Sequence, residues 1–149
     1  MRTLRKNVDL GLLLVRLALG IVFVMHGWQK LTVIGVDGFA GMLASLGVPF
    51  PAVNAVIVTA VEFVGGWAML AGLFARPVGL LIAFNMIVAA ATVHLKNGFF
   101  LPAGYEFTLV LMLASLAISA AGAGAYSLDA RLFRREPERV GDVRERIAA

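Results

Sequence analysis

The chain has 149 residues, 60% of them hydrophobic and only 15% charged, with a mean hydropathy of +0.90. Soluble domains sit nearer half apolar and a quarter charged, so this composition excludes an ordinary soluble globule and points to helices in a bilayer. The absence of cysteine excludes a thiol–disulfide relay, thiolate-held zinc and a cysteine-ligated iron–sulfur cluster.

A net charge of +4 could suggest a nucleic-acid partner, but its distribution argues for a lipid bilayer instead. Arg2, Arg5 and Lys6 precede the first apolar block, Arg76 sits in the second connection, and six arginines follow Ser127. The other two connections carry Lys30 and Lys96. Lys and Arg bias orients helices, which predicts a multi-pass membrane protein with both termini and the "FARP" turn facing the cytoplasm.

The opening stretch, "MRTLRKNVDLGLLLVRLALG", starts like a signal peptide. Arg16 interrupts its apolar region and no small-residue cleavage site follows, so it reads as an uncleaved first helix, Leu10–Met25 extended to about Gln29. In the connection "TVIGVDGFAGMLASLGVPFP", Phe39, Met42, Leu43 and Leu46 recur at helical spacing before Gly47 and Pro49 break it. A short helix lying on the outer surface is expected there. The second block, Ala52–Leu73, alone provides the ~20 residues that a ~30 Å hydrocarbon core requires. After the tight hairpin "LFARPVG", the block Val78–Val93 is marginal. So is Phe107–Ala121, which follows the loop "HLKNGFFLPAGYEF". These two must borrow Pro77, His94, Tyr105 and Gly122. The fold class is therefore an all-α integral membrane protein: a four-helix transmembrane bundle with a short interfacial helix in the first outer loop. Three spans plus a buried segment is the alternative. Residues 1–130 form one transmembrane domain, and residues 131–149 a charged cytoplasmic tail.

Small residues mark expected contacts. Gly20 and Gly27 lie on the face of Arg16, and Ala55, Thr59, Glu62 and Gly66 make a narrow stripe. Helices in lipid associate through close backbone approach and polar contacts, which such stripes allow. Arg16, Glu62 and Asn85 are costly within a membrane, at ~2.5–3.5 kcal/mol for an ionised group at the centre. Two readings stay open: a structural clamp in which Arg16 reaches Glu62 with Asn85 alongside, or a proton or ligand site. At the outer end gather His26, Gln29, Lys30, His94, Lys96, Asn97, Tyr105 and Glu106. Snorkelling to water accounts for the two lysines. Nine residues separate Asn85 from His94, so His94 faces the bundle only where the helix bends or ends near Val93. Bis-histidine haem ligation by His26 and His94 has no further support, and no metal site is read here.

The segments "RLALGIVFVMHGWQKL", "GFAGMLASLGVPFP", "VEFVGGWAMLAGLFAR" and "TVHLKNGFF…GYEF" together resemble the DoxX family of small bacterial inner-membrane proteins over roughly residues 10 to 130. The matching polar and glycine positions are Arg16, His26, Gly27, Lys30, Glu62, Gly66, Arg76, His94, Asn97, Gly98 and Glu106. The resemblance implies a four-helix membrane protein, some relatives being subunits of thiosulfate:quinone oxidoreductases or other membrane redox assemblies. The leading expectation is a quinone-associated accessory or reducing subunit, with no intrinsic cofactor, a bound quinone and soluble redox partners. His26, His94, Tyr105 and Glu106 are the quinone-binding candidates. A non-catalytic scaffold for soluble partners and a carrier of a small apolar molecule are the rivals. Catalytic residues, the electron donor and homo-oligomerisation are left open.

Overall fold

A computed structural model describes residues 2–133. Residues 134–149, most of the expected tail, lie outside the described residues. Four long helices run up and down: α1 (Arg2–Thr32), α3 (Pro51–Ala71), α4 (Ala75–Ala89) and α5 (Glu106–Ala121). The short α2 (Val36–Ser45) bridges α1 and α3, and α6 (Leu128–Leu132) follows α5. Two ends are distinguished below: the α2 end, with α2 and the loop between α4 and α5, and the α6 end.

Three stretches are long and apolar enough to cross a membrane: Lys6–Thr32, Pro51–Ala71 and Ala75–Asn97. The third counts the turns that continue α4, a π-helical turn over Ala90–His94 and a 3-10 turn over Leu95–Asn97. The fourth, α5, has 16 residues, about 24 Å at 1.5 Å per residue. It packs along α4 and closes the bundle against α1.

The surface is inverted relative to a soluble protein. Leu14, Ile21, Val56, Ile57, Val64, Trp67, Leu80, Phe84 and Val110 face outward, whereas Arg16 is 1% exposed and Glu62 and Asn85 are buried. Only an apolar solvent makes that arrangement favourable. The core runs along the bundle through Leu19, Phe23, Met69, Ile82, Met86, Leu111 and Ile118.

Glycines set how closely the helices approach. A Cβ on Gly66 would lie 2.6 Å from the Val24 backbone nitrogen, and one on Gly27 the same distance from that of Phe63. These contacts lock α1 and α3 in antiparallel register. The α3–α4 hairpin turns at Gly72, whose left-handed backbone (φ 66°) ends α3 with hydrogen bonds from Gly72 N to Met69 O and from Leu73 N to Ala68 O. That pair of bonds is a Schellman cap. Helix α2 lies where its apolar spacing predicts. Phe39 and Leu43 are buried and pack on Ala55 of α3, which fastens α2 across the end of the bundle.

Candidate functional site

Lys30 organises the buried polar site. It stands seven residues after Phe23 and fourteen after Arg16, so the three share one face of α1. That face points into the bundle. The glycine at position 27 lets α3 come close one turn earlier, which brings Lys30 beside Glu62. The Lys30 Nζ donates to Glu62 Oε2 at 2.5 Å, with the two side chains 11% and 6% exposed. From α4, Asn85 Nδ2 donates to Glu62 Oε1 at 3.3 Å. The Phe39 ring of α2 roofs the ammonium, 5.0 Å from its centroid. The expectation that Lys30 snorkels to water is therefore corrected: burial against α3 and α2 leaves the Glu62 carboxylate as its partner. One turn from Glu62 toward the α2 end, Thr59 is 3% exposed, and its Oγ1 has no hydrogen-bond partner among the described residues.

The expected Arg16–Glu62 pair is also corrected. In the α1–α3 register Gly20 faces Gly66 and Leu70, so Arg16 lies opposite Met69, seven residues beyond Glu62. That separation is about 10 Å along the helix. Arg16 instead binds main-chain carbonyls. Its Nε donates to Met69 O at 3.2 Å, its Nη2 to Leu70 O at 3.3 Å and Tyr126 O at 3.0 Å, and its Nη1 to Ala123 O. These acceptors include the last carbonyls of α3, which have no partner within the helix and carry the negative end of its dipole. The same logic recurs at this end. Arg76 Nη1 donates to Ser119 O and Ala120 O at the end of α5, and the Asp129 carboxylate accepts from the first amides of α4, Phe74 N and Ala75 N. Asp9 Oδ1 accepts from Ala125 N. Arg16 is a clamp, but one for the end of α3 and the segment after α5 rather than for Glu62.

At the α2 end the candidate residues separate. The π-helical turn is the break in helical geometry that His94 requires, and it delivers His94 Nδ1 to 2.9 Å from Ala103 O. Asn97 Nδ2 donates to the same carbonyl at 3.3 Å and to Val93 O at 3.0 Å. Glu106 Oε1 accepts from Leu101 N at 2.7 Å, and the Tyr105 ring meets Phe99 edge-on. These residues brace the α4–α5 loop. His26 does not join them. It is exposed on α1, in an open groove of about 410 Å³ lined by Met25, His26, Trp28, Gln29 and Val33, without His94, Tyr105 or Glu106. Among the described residues the His94 ring is hydrogen-bonded and the His26 ring is not. Lys30 follows His26 by one helical turn. The structure thus sets an unheld imidazole at the surface next to a buried ion pair.

Sequence reasoning missed Lys30 as the partner of Glu62 and passed over the Thr59 hydroxyl. The seven-residue spacing of Arg16, Phe23 and Lys30 was the available signal for the first. The second was visible only as membership of the small-residue stripe. No group of three or more His, Asp or Glu side chains suited to a metal occurs among the described residues.

Comparison with known proteins follows the same segments. The family model described as DoxX matches residues 11–95, which hold Arg16, His26, Lys30, Thr59, Glu62, Asn85 and His94 but not Tyr105 or Glu106. A Bacillus subtilis (strain 168) protein named "Putative oxidoreductase CatD" is 34% identical over 88% of this chain and 93% of its own length. Two Escherichia coli (strain K12) proteins are similar, "Inner membrane protein YphA" at 30% identity and "Inner membrane protein YqjF" at 29%. They match 80% and 89% of this chain and 89% and 99% of their own lengths, respectively. No solved structure matches significantly. With the family model covering more than half of the chain and a relative matching nearly all of it, the protein is a membrane protein of the DoxX family.

Proposed function

We propose that this protein is a quinone-associated accessory or reducing subunit of a redox complex in the bacterial inner membrane. The observation that carries the reading is the His26 groove. Its imidazole is exposed and unheld among apolar walls, one turn from the Lys30–Glu62 pair. The inner-membrane relatives and the apolar helices support the location, and the relative named as an oxidoreductase supports redox chemistry. The Lys and Arg bias supports an orientation with the α6 end in the cytoplasm and the groove toward the outer face.

The groove fits a quinone headgroup on physical grounds. Its volume of about 410 Å³ lies in the range of small-molecule sites, ~300–1,000 Å³. Met25, Trp28 and Val33 offer apolar walls, while His26 and Gln29 supply hydrogen-bond donors for a carbonyl oxygen. A bound quinone supplies a two-electron, two-proton acceptor, with electrons delivered by a soluble redox partner. His26 is suited to hold a proton at the carbonyl, since an imidazole with an ordinary pKa of ~6.5 donates and is reprotonated near neutral pH. Lys30 and Glu62 fix the local charge behind it. His94, Tyr105 and Glu106 brace the α4–α5 loop and lie outside the groove lining.

The test is purification in mild detergent at native expression level, with extraction and identification of bound quinone and co-purifying proteins. Quinone retained by the wild type and a redox protein in the same fraction are expected. A protein that carries neither overturns the proposal in favour of a scaffold.

A further inference from the structure

The polar groups beneath α2 have more hydrogen-bonding capacity than the protein uses. The Thr59 hydroxyl is fully buried and has no partner among the described residues, although a buried polar group is normally satisfied by protein or by ordered water. A helical threonine can satisfy itself on the carbonyl four residues back, as Thr92 does on Val88 O, yet Thr59 does not. One turn along α3, Glu62 holds the Lys30 ammonium, which has three protons and gives one of them to that carboxylate. The Glu62 carboxylate accepts two bonds, from Lys30 and Asn85, and has lone pairs for more. In a bilayer these shortfalls are costly, because no solvent reaches them to complete the bonding.

We propose that Thr59, Lys30, Glu62 and Asn85 form a buried site for one oxygen ligand, bonded to the Thr59 hydroxyl and roofed by Phe39 of α2. The ligand chemistry is an oxygen able to share hydrogen bonds with a hydroxyl and an ammonium. An internal water and a quinone carbonyl that reaches in from the His26 groove both supply it. The water source stands independently of the quinone reading, and only the carbonyl source rests on it. Occupation of this site completes the polar network and holds α1, α3 and α4 in one register around Glu62.

Thr59→Val decides the matter because it keeps the shape and removes the hydroxyl. An orphaned buried hydroxyl is destabilising, so its removal would raise the thermal midpoint of the purified protein; a ligand-bonded hydroxyl is stabilising, so its removal lowers it. We expect a lower midpoint for Thr59→Val. A midpoint equal to or above that of wild type both in lipid-stripped protein and with added ubiquinone overturns the site. Two arms separate the sources, using protein stripped of lipid and the same protein with added ubiquinone. For a water, the deficit is the same in both. For a carbonyl, it appears only with ubiquinone, and the variant also retains less quinone. Binding of ubiquinone by the wild type in the second arm tests the functional proposal separately. Where Thr59→Val does not accumulate, an experimental structure of the wild type in lipid decides: density for an oxygen at hydrogen-bonding distance from Thr59 Oγ1 supports the site, and its absence overturns it.

Discussion

Lys30 of α1 and Glu62 of α3, 32 positions apart in sequence, meet at 2.5 Å inside a bundle whose outer surface is apolar. The contact depends on glycine at position 27, because any side chain there would strike the backbone of α3. A buried pair of this kind is asymmetric in energy. Removing one partner strands the other charge, whereas removing both leaves a neutral, packed interior.

Lys30→Met and Glu62→Leu should therefore each lower stability by about 3–5 kcal/mol, the range seen for buried pairs in soluble proteins. The double variant should recover a large part of the loss. Arg16→Leu combined with Glu62→Leu should show simple additivity, because Arg16 binds carbonyls elsewhere. Thermal midpoints of these variants, with Arg16→Leu alone as the fifth, measured in one detergent check both statements.

Much of this architecture is legible in the sequence, and the limits have identifiable causes. The apolar blocks delimit four helices because a bilayer fixes their length, and α2 is readable from Phe39, Met42, Leu43 and Leu46. The phase of His94 relative to Asn85 makes a bend the condition for His94 to face the bundle, and the π-helical turn that occurs carries its ring to the loop carbonyl of Ala103 instead. The partners of Arg16 and Glu62 are different in kind. They depend on the register of α1 against α3, and counting residues from the membrane surface is too coarse to fix a contact one or two turns long. Lys30 looked like an interfacial residue because its local neighbours are interfacial; only α2 folding over it makes the position internal. The carbonyls that hold Arg16 belong partly to the chain around Ala123 and Tyr126, whose return to the bundle no periodicity announces.

The glycines of the α1–α3 contact give a second prediction. Gly27→Ala places a methyl group 2.6 Å from the Phe63 backbone and should sharply reduce the folded, monodisperse protein recovered. Gly41 of α2 has nothing within 4 Å of its would-be Cβ. Gly41→Ala should be neutral or stabilising by up to about 1 kcal/mol, through reduced backbone entropy in the unfolded state. Size-exclusion profiles and thermal midpoints distinguish the two.

At the α6 end, Asp129→Ala should expose the amides of Phe74 and Ala75. A cost of about 1–2 kcal/mol is expected, the scale of a lost helix N-cap. Arg16→Lys should also destabilise, because a single ammonium cannot reproduce bonds from three guanidinium nitrogens to four carbonyls. Little loss in either variant would mean that this end contributes little to holding the helices.

Orientation is testable without purification. The Lys and Arg bias predicts both termini on the cytoplasmic side. A reporter active only in the cytoplasm should function at either end, and one fused within the loop at Phe100 should not. A periplasm-specific reporter active after Ala149 contradicts this orientation.

The central claim is that the His26 groove, not the braced loop, receives the quinone. Its most direct measurement is bound quinone per protein after mild-detergent purification of His26→Gln and His94→Gln beside the wild type. The account predicts that His26→Gln loses most of the quinone at nearly unchanged protein abundance. It predicts the opposite pattern for His94→Gln, which releases the Ala103 carbonyl: lower abundance with quinone per protein retained. Quinone per protein that stays constant in His26→Gln would contradict the claim and leave the histidine a surface residue of the helix.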